Sequence, residues 1–300
     1  MFWGRFPLNK RHFGLENNDF CRYNGFLRRK YEVAKMYHFV RIKKITFAII
    51  FGLLCFFAGG ECGDVVAILM CDTHADNIEQ PVAMDLKNMC EEVARIATYT
   101  KRDLKELIYT GDELFPEQVL DDVKGLAFHP DDIVIFYFSG HGYRTESKDG
   151  NPWPNMFFTM ANQAVDYDLV CQILYSKNPR LLITIADCCN NYMDERGAPP
   201  VVKGKVYSKA ETTHVKKNYQ ELFLNTEGLI MIRSSEVGEY SWCMNRGAIY
   251  TLALLDSIKL ETLKQHGVSW DSLLERAASS VCRHQTPVVY RDKNSYSQSY

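Results

Sequence analysis

Four near-continuous apolar runs of strand length constrain the fold of this 300-residue chain more than any other feature. They cover residues 65–70, 133–138, 181–186 and 229–232, and none alternates between apolar and polar side chains. Strands that helices cover on both faces, as in a parallel sheet, have such continuous apolar sequences. The four runs therefore predict a central sheet with helices on both sides.

Amphipathic helical patterns lie between these runs. One opens at Pro81 and another at Pro116, and three more have apolar stripes around Val170, Leu252 and Leu273. Residues 106–109 suggest a short extra strand. Strand and helix thus alternate along the chain, which predicts one α/β domain with a mostly parallel sheet.

The segment 190–225 interrupts this alternation. It has no strong periodicity, contains several glycines and prolines, and is long for a loop inside a compact domain. We expect an exposed functional loop that carries basic residues, namely Arg196, Lys203, Lys205, Lys209, Lys216 and Lys217. Residues 291–300 are predicted to be a polar tail.

Charge is distributed unevenly. Residues 1–44 carry +8 and the remaining residues −10, for a net charge of −2. The acidic body argues against nucleic-acid binding. A fourteen-residue apolar run, 45–58, follows basic residues and precedes small ones, an order typical of a secretory signal. The run is too short for a comfortable membrane span.

We interpret residues 36–60, starting at Met36, as a signal peptide, and residues 1–35 as a disordered upstream extension of the reading frame. The prediction is an exported protein, periplasmic or secreted. An uncleaved membrane anchor is the alternative, and this N-terminal segment is the only predicted membrane contact.

Two short segments carry the candidate chemistry. His141, between Gly140 and Gly142, follows the run 133–138, and Cys189 follows the run 181–186. Sites in open α/β sheets form at the carboxyl ends of strands, so a thiol and an imidazole on neighbouring strands would meet there. A histidine raises the thiolate fraction of a thiol and later protonates the leaving amine. The pair predicts a thiol peptidase.

Two adjacent cysteines compete for the role of nucleophile. Successive side chains of a strand face opposite ways, so Asp187 and Cys189 share one face while Cys188 points toward the covering helices. A carboxylate beside the thiol can bind a cationic substrate side chain, so we favour Cys189. Core packing of the histidine and the cysteines, or a redox or metal switch of vicinal cysteines, is the alternative. The glycines allow a tight turn and leave the Gly142 amide free for a substrate carbonyl oxygen.

The sequence Ser139-Gly140-His141-Gly142 followed by Asp187-Cys188-Cys189 resembles the caspase-like peptidases, in particular the metacaspase and bacterial caspase-like branch. The resemblance covers most of residues 63–290. Residues 72–76 resemble the family's first strand-to-helix region. Two segments, 234–236 and 247–255, resemble its small-subunit portion, and residues 285–287 resemble its closing strand. The implied fold is a caspase-like three-layer α/β/α sandwich with a mostly parallel central sheet of about six strands.

The resemblance also implies roles for residues. His141 would be the general base and Cys189 the nucleophile, Asp187 would lie in the S1 pocket, and the amides of Gly142 and Cys189 would form the oxyanion hole. The small-subunit segment would add substrate contacts from Ser234, Ser235 and Glu236.

The implied activity is cleavage of proteins or peptides after Arg or Lys. A peptidase domain over 61–290 would divide into a large-subunit-like part (61–192), a basic linker (193–225) and a small-subunit-like part (226–290). A catalytically silent caspase-like module for binding or scaffolding is the alternative. Oligomeric state is left open.

The chain departs from the family pattern after the nucleophile, where Asn190-Asn191-Tyr192 replaces the usual His-Ser-Gly type of turn. Many metacaspases require calcium, but the region after His141 offers only Glu146 and Asp149. The cysteines show no Cys-x-x-Cys spacing and no close histidine pair accompanies them. We therefore predict no metal site and no cofactor, with calcium as the open alternative.

Overall fold

A six-stranded sheet forms the centre of the fold. The computed structural model describes residues 62–148, 150–192 and 214–292. The strands in chain order are β1 (Val65–Cys71), β2 (Leu104–Thr110), β3 (Ile133–Ser139), β4 (Gly142–Tyr143), β5 (Asn155–Phe158), β6 (Gln163–Asp166), β7 (Leu181–Asp187), β8 (Gly228–Arg233), β9 (Cys243–Met244), β10 (Gly247–Ala248) and β11 (Val288–Asp292). The helices are α1 (Glu79–Thr100), α2 (Pro116–Gly125), α3 (Tyr167–Tyr175), α4 (His214–Leu224), α5 (Ile249–Thr262) and α6 (Trp270–Val281).

The strand order of the central sheet is β11-β8-β7-β3-β1-β2. Only β11 runs antiparallel to its neighbour, so the sheet is mostly parallel as the sequence predicted. The strands β4, β5 and β6 form a small sheet beyond the end of β3, and β9 and β10 form a two-stranded ribbon.

Alternate residues of each central strand enter different cores. In β3, Ile135 and Tyr137 pack with α1, α4, α5 and α6, whereas Phe136 and Phe138 pack with α2 and α3. Both cores are rich in aromatic and branched side chains, which is why the strands show no polar alternation. The sheet with its two helical layers confirms the predicted three-layer α/β/α sandwich.

The interpretation of 190–225 as a segment without regular structure was wrong at its C-terminal end. Helix α4 buries a stripe at helical spacing, formed by Val215, Tyr219, Leu222 and Phe223. The stripe spans barely two turns and polar residues surround it, so the periodicity is weak in the sequence. Its burial against α1 and α5 supplies the stabilisation that a short helix lacks.

The C-terminal boundary also differs from the expectation. The closing strand is Val288–Asp292, after the predicted 285–287 segment, and it includes two residues assigned to the polar tail. Arg291 forms an ion pair with Asp271, and the Tyr175 hydroxyl donates to Asp292 at 3.1 Å. These polar contacts explain why hydrophilic residues end a strand of the sheet.

Several predictions concern residues outside the described ranges. They include the signal segment 36–60, the extension 1–35 and Asp149. They also include Arg196, Lys203, Lys205 and Lys209 of the basic loop, which are candidate sites of self-cleavage for a peptidase that cuts after basic residues. Among the helices that the structure does describe, none combines the length and the apolar character needed to cross a bilayer.

Candidate active site

The register of the sheet brings the two predicted catalytic residues together. Strands β3 and β7 are parallel neighbours, and Ser139 is the register partner of Asp187 at their carboxyl ends. His141 and Cys189 each follow that pair by two residues. Because neighbouring strands lie about 4.8 Å apart, the two side chains begin from adjacent points of the same sheet edge.

A backbone carbonyl fixes the His141 ring. The ring atom Nε2 lies 2.9 Å from the carbonyl oxygen of Asp76, in the turn after β1. A carbonyl oxygen can only accept, so Nε2 donates and Nδ1 is left as the proton-accepting nitrogen. The His141 carbonyl in turn accepts a hydrogen bond from the Phe157 amide at 3.0 Å. Both the ring and the backbone of this histidine are therefore held in place.

The Cys189 thiol lies against the backbone of Ser241. The Ser241 amide donates to Sγ at 3.3 Å, and Sγ lies 3.7 Å from the Ser241 carbonyl oxygen. Burial is the main cause that raises the pKa of this thiol to about 11; the Ser241 amide opposes the rise, and the Asp187 charge adds to it. The resting thiol is thus protonated at neutral pH, and it needs a base to become a nucleophile.

Cys188 points the other way, as strand alternation predicted. It is 2% exposed and packs in the core with α2 and α3. Burial raises the pKa of this thiol well above its ordinary value. A neutral thiol enclosed in an apolar core is inert.

Gly142 is required for space at this point rather than for backbone freedom. A Cβ there would lie 2.5 Å from Cys188 Sγ and 2.6 Å from the Cys189 carbonyl oxygen. At Gly140 a Cβ would meet Cβ of Asp72 at 3.0 Å. Neither glycine has a positive φ, so the expected conformational reason was wrong, and close packing of the two loops replaces it.

Asp187 lies beneath the thiol in a buried polar cluster. Only 3% of its surface is exposed. Its Oδ1 accepts a hydrogen bond from the Ser241 hydroxyl at 2.7 Å. Its Oδ2 accepts from the Thr251 amide at 2.9 Å and from the Thr251 hydroxyl at 2.7 Å. Burial raises the pKa of Asp187, and these hydrogen bonds oppose the rise.

A second carboxylate, Asp85 of α1, belongs to the same cluster. It is fully buried and accepts from the Ser139 hydroxyl at 2.8 Å and from the Ala248 amide at 2.9 Å. Burial raises its pKa well above the ordinary value, and the nearby Asp187 charge adds to the rise. Among the described residues, no lysine or arginine forms an ion pair with either carboxylate.

The sequence reasoning missed Asp85, although one signal for it exists. The residue interrupts the apolar stripe of α1, three residues after Val82 and four before Met89, both of which are buried. A carboxylate on the buried face of a helix has to have polar partners or a functional use. Ser241, the other missed residue, lies in a segment without any such periodic signal.

The three predicted small-subunit residues divide into two environments. Ser234 and Ser235 are completely buried, and their hydroxyls donate to the Cys188 carbonyl oxygen at 3.4 and 2.9 Å. They support the backbone that leads into Cys189. Glu236 is exposed, and its amide donates to the Glu239 carboxylate at 3.2 Å.

The described residues do not fit a metal ion. Across 62–148, 150–192 and 214–292, no three His, Cys, Asp or Glu side chains are grouped so that they could hold one. Hard cations such as calcium take six or more oxygen ligands. No step of the chemistry is therefore assigned to a metal.

Comparison with known proteins agrees with this architecture. The family described as the caspase domain matches residues 67–296. Caspase-1 from Spodoptera frugiperda has a similar crystal structure, with a TM-score of 0.50 and 12% sequence identity, over 78% of this chain and 88% of the insect chain. No curated protein matches the sequence.

An α/β/α sandwich that the caspase-domain model matches over most of the chain defines the class as cysteine-dependent hydrolases. This chain belongs to the caspase-domain family, and it is a cysteine peptidase that acts on protein substrates.

Proposed function

We propose that the chain is an endopeptidase that cleaves after Arg or Lys by means of a His141–Cys189 dyad. The proposed specificity is supported by two buried carboxylates, Asp85 and Asp187, close to the proposed nucleophile. No lysine or arginine among the described residues forms an ion pair with either of them. Burial and the charge of the neighbouring carboxylate both raise the free energy of the ionised form. A cationic substrate side chain beside the pair would lower that free energy.

The chemistry begins with proton transfer from the Cys189 thiol to His141 Nδ1. The thiolate, near the Ser241 amide, attacks the carbonyl carbon of the scissile bond, and the amides of Gly142 and Cys189 are the proposed donors to the oxyanion. His141 then protonates the leaving amine, and the C–N bond breaks to give a thioester. Water, deprotonated by His141, hydrolyses the thioester and restores the thiol.

Asp85 retains acceptor capacity for a further hydrogen bond. It accepts from the Ser139 hydroxyl and, through both oxygens, from the Ala248 amide, while an ionised carboxylate offers about four acceptor positions. An Arg side chain can donate two parallel hydrogen bonds to such a group, whereas a Lys side chain acts as a point charge. We therefore propose that Arg is preferred to Lys.

The direct test compares fluorogenic peptides that differ only at P1, with Arg, Lys, Asp or Asn, using the purified chain. The proposal requires kcat/KM for Arg and Lys to exceed that for Asp by at least about 100-fold, the size of a lost buried charge contact. Equal rates would contradict the specificity, and absence of any turnover would favour the silent binding module. Measuring the rates in EDTA and in calcium tests the predicted independence from metal.

We further propose that residues 36–60 direct export of the protein. The order of basic, apolar and small residues in the sequence supports this.

A further inference from the structure

Arg144 is a buried arginine next to the dyad that neither the sequence analysis nor the proposed chemistry uses. Only 4% of its surface is exposed. Its Nη2 donates to the carbonyl oxygens of Lys148 at 3.1 Å and Asn151 at 2.9 Å, and its Nη1 donates to the side-chain oxygen of Asn190 at 3.3 Å. All three acceptors are neutral, and the described part of the chain supplies no carboxylate partner.

Arg144 lies where the parallel pairing between the two chain segments resumes after the end of the sheet. Ser139 pairs with Asp187 at the end of β3 and β7, and five residues later along both segments Arg144 forms a parallel bridge with Tyr192. The Arg144 amide donates to the carbonyl oxygen of Asn191 at 2.9 Å, and its guanidinium carbon lies 5.7 Å from the centre of the Tyr192 ring.

The dyad lies between these two points of pairing. Each segment has four residues between them, and His141 occupies the same place in one segment as Cys189 does in the other. Two segments of equal length, fixed at both ends, hold their middle residues at a constant separation. Other contacts hold each loop separately, and the second point links the two loops directly to each other.

Asn190 transmits the contact to the nucleophile. It is fully buried and follows Cys189 directly. Its backbone amide donates to the Glu239 carbonyl oxygen at 3.0 Å, and its own carbonyl oxygen accepts from the Gly238 amide at 2.9 Å. Its side-chain nitrogen donates to the Pro152 carbonyl oxygen at 3.0 Å. The remaining polar atom, Oδ1, is the one that Arg144 holds. The guanidinium therefore completes the fixation of the residue that sets the Cys189 backbone.

We propose that Arg144 is a positioning residue that fixes the Cys189 thiol relative to His141, by closing a second point of pairing between their loops. This role rests on the proposed dyad. Arginine suits it because one planar guanidinium reaches three separate acceptors, which a lysine ammonium on a flexible stem does not reproduce. A displacement of about 1 Å at a reacting centre can cost about 100-fold in rate.

The test compares Arg144→Met with a matched control, Arg180→Met. Arg180 is also buried and also donates to backbone carbonyls, those of Phe223, Leu224 and Thr226. It differs in forming an ion pair with Asp131 at 2.9 Å and in lying before β7, at the opposite end of the sheet. Two quantities are measured on the full chain at a temperature where circular dichroism shows each variant to be folded. They are kcat and KM on a P1 Arg peptide, and the rate of Cys189 alkylation by iodoacetamide at pH 7.

Arg144→Met should lower kcat by about 10- to 100-fold with KM changed less than about 3-fold, and Cys189 alkylation should fall to the rate of a His141→Ala variant. Arg180→Met should keep both rates within about two-fold of the parent despite a lower Tm. If Arg144→Met does not fold, Arg144→Lys replaces it, with smaller losses expected in the same direction.

A folded Arg144 variant whose kcat and alkylation rate equal those of the parent would overturn the proposal. Alkylation needs no substrate, so a parent without peptidase activity would refute the proposed function while the alkylation rates still decide the role of Arg144. Equal alkylation of parent and His141→Ala would overturn both the dyad and this role.

Discussion

The Ser241 hydroxyl donates to the Asp187 carboxylate at 2.7 Å, while the amide of the same serine donates to Cys189 Sγ at 3.3 Å. One residue thus joins the acidic cluster to the nucleophile. A substrate cation bound at Asp187 would thus contact a carboxylate that shares a hydrogen-bond partner with the Cys189 thiol. This link is the structural basis for the expected dependence of turnover on the charge of the P1 residue.

Asp187→Asn should therefore impair cleavage of Arg peptides far more than the fold. Truncating one partner of a buried hydrogen-bonded charge pair costs on the order of 2–4 kcal/mol, so kcat/KM should fall by about 30- to 1,000-fold. Steady-state kinetics with P1 Arg and P1 norleucine peptides separate the charge effect from a general defect. A similar loss on both peptides would show that Asp187 supports the site without reading substrate charge.

Cys189→Ala should abolish turnover and iodoacetamide labelling of the active thiol, whereas Cys188→Ala should retain both. The Cys188 side chain is enclosed in the core, so its truncation should act on stability, with a fall in Tm of about 2–4 °C for a loss of about 1 kcal/mol. Peptide mapping of labelled protein and thermal melts give the two readouts. Activity lost only in the Cys188 variant would reverse the assignment.

The buried carboxylates predict a specific dependence of stability on pH. Because the pKa values of Asp85 and Asp187 are raised in the folded state, the folded chain binds more protons than the unfolded chain between the ordinary and the raised values. Their contribution to the free energy of unfolding is therefore present at low pH and is lost as pH rises through that window. Urea unfolding at several pH values should show a weaker decline for Asp85→Asn than for the parent; identical curves would contradict the shift.

Self-cleavage is expected between the large-subunit-like and small-subunit-like parts. A peptidase that prefers basic P1 residues should cut its own chain after Arg196, Lys203, Lys205 or Lys209. Lys216 and Lys217, the other sequence candidates, lie in α4, and a helix has to unwind before a peptidase can bind it. Mass spectrometry of the incubated parent should find two associated fragments, while Cys189→Ala stays whole. A parent that digests peptides and stays intact would show that activity does not need the cut.

Export is expected when translation starts at Met36. Expression in a bacterium should give mature chains that begin close to Glu61, as N-terminal sequencing would reveal. Chains that start at residue 1 or 36 and remain in the membrane fraction would favour the uncleaved anchor.

The sequence alone determined the layers of this fold and the two ends of its candidate site. Buried parallel strands have to be apolar on both faces, so the runs that became β1, β3, β7 and β8 were visible without structure. A histidine and a cysteine at matching strand ends marked the edge where we propose that the chemistry occurs. The sequence did not predict helix α4, whose apolar pattern is weak and short. Tertiary burial rather than local periodicity stabilises that helix.

Only the tertiary structure decided which distant residues surround the dyad. Asp85 lies about a hundred residues from Asp187 in sequence, and it joins the cluster because α1 crosses the face of the sheet next to β10. The Asp76 carbonyl and the Arg144 guanidinium act through backbone atoms and neutral oxygens, which leave no mark in a residue pattern. Hydrogen bonds of this kind depend on the geometry of packed loops, and the order of amino acids does not display that geometry.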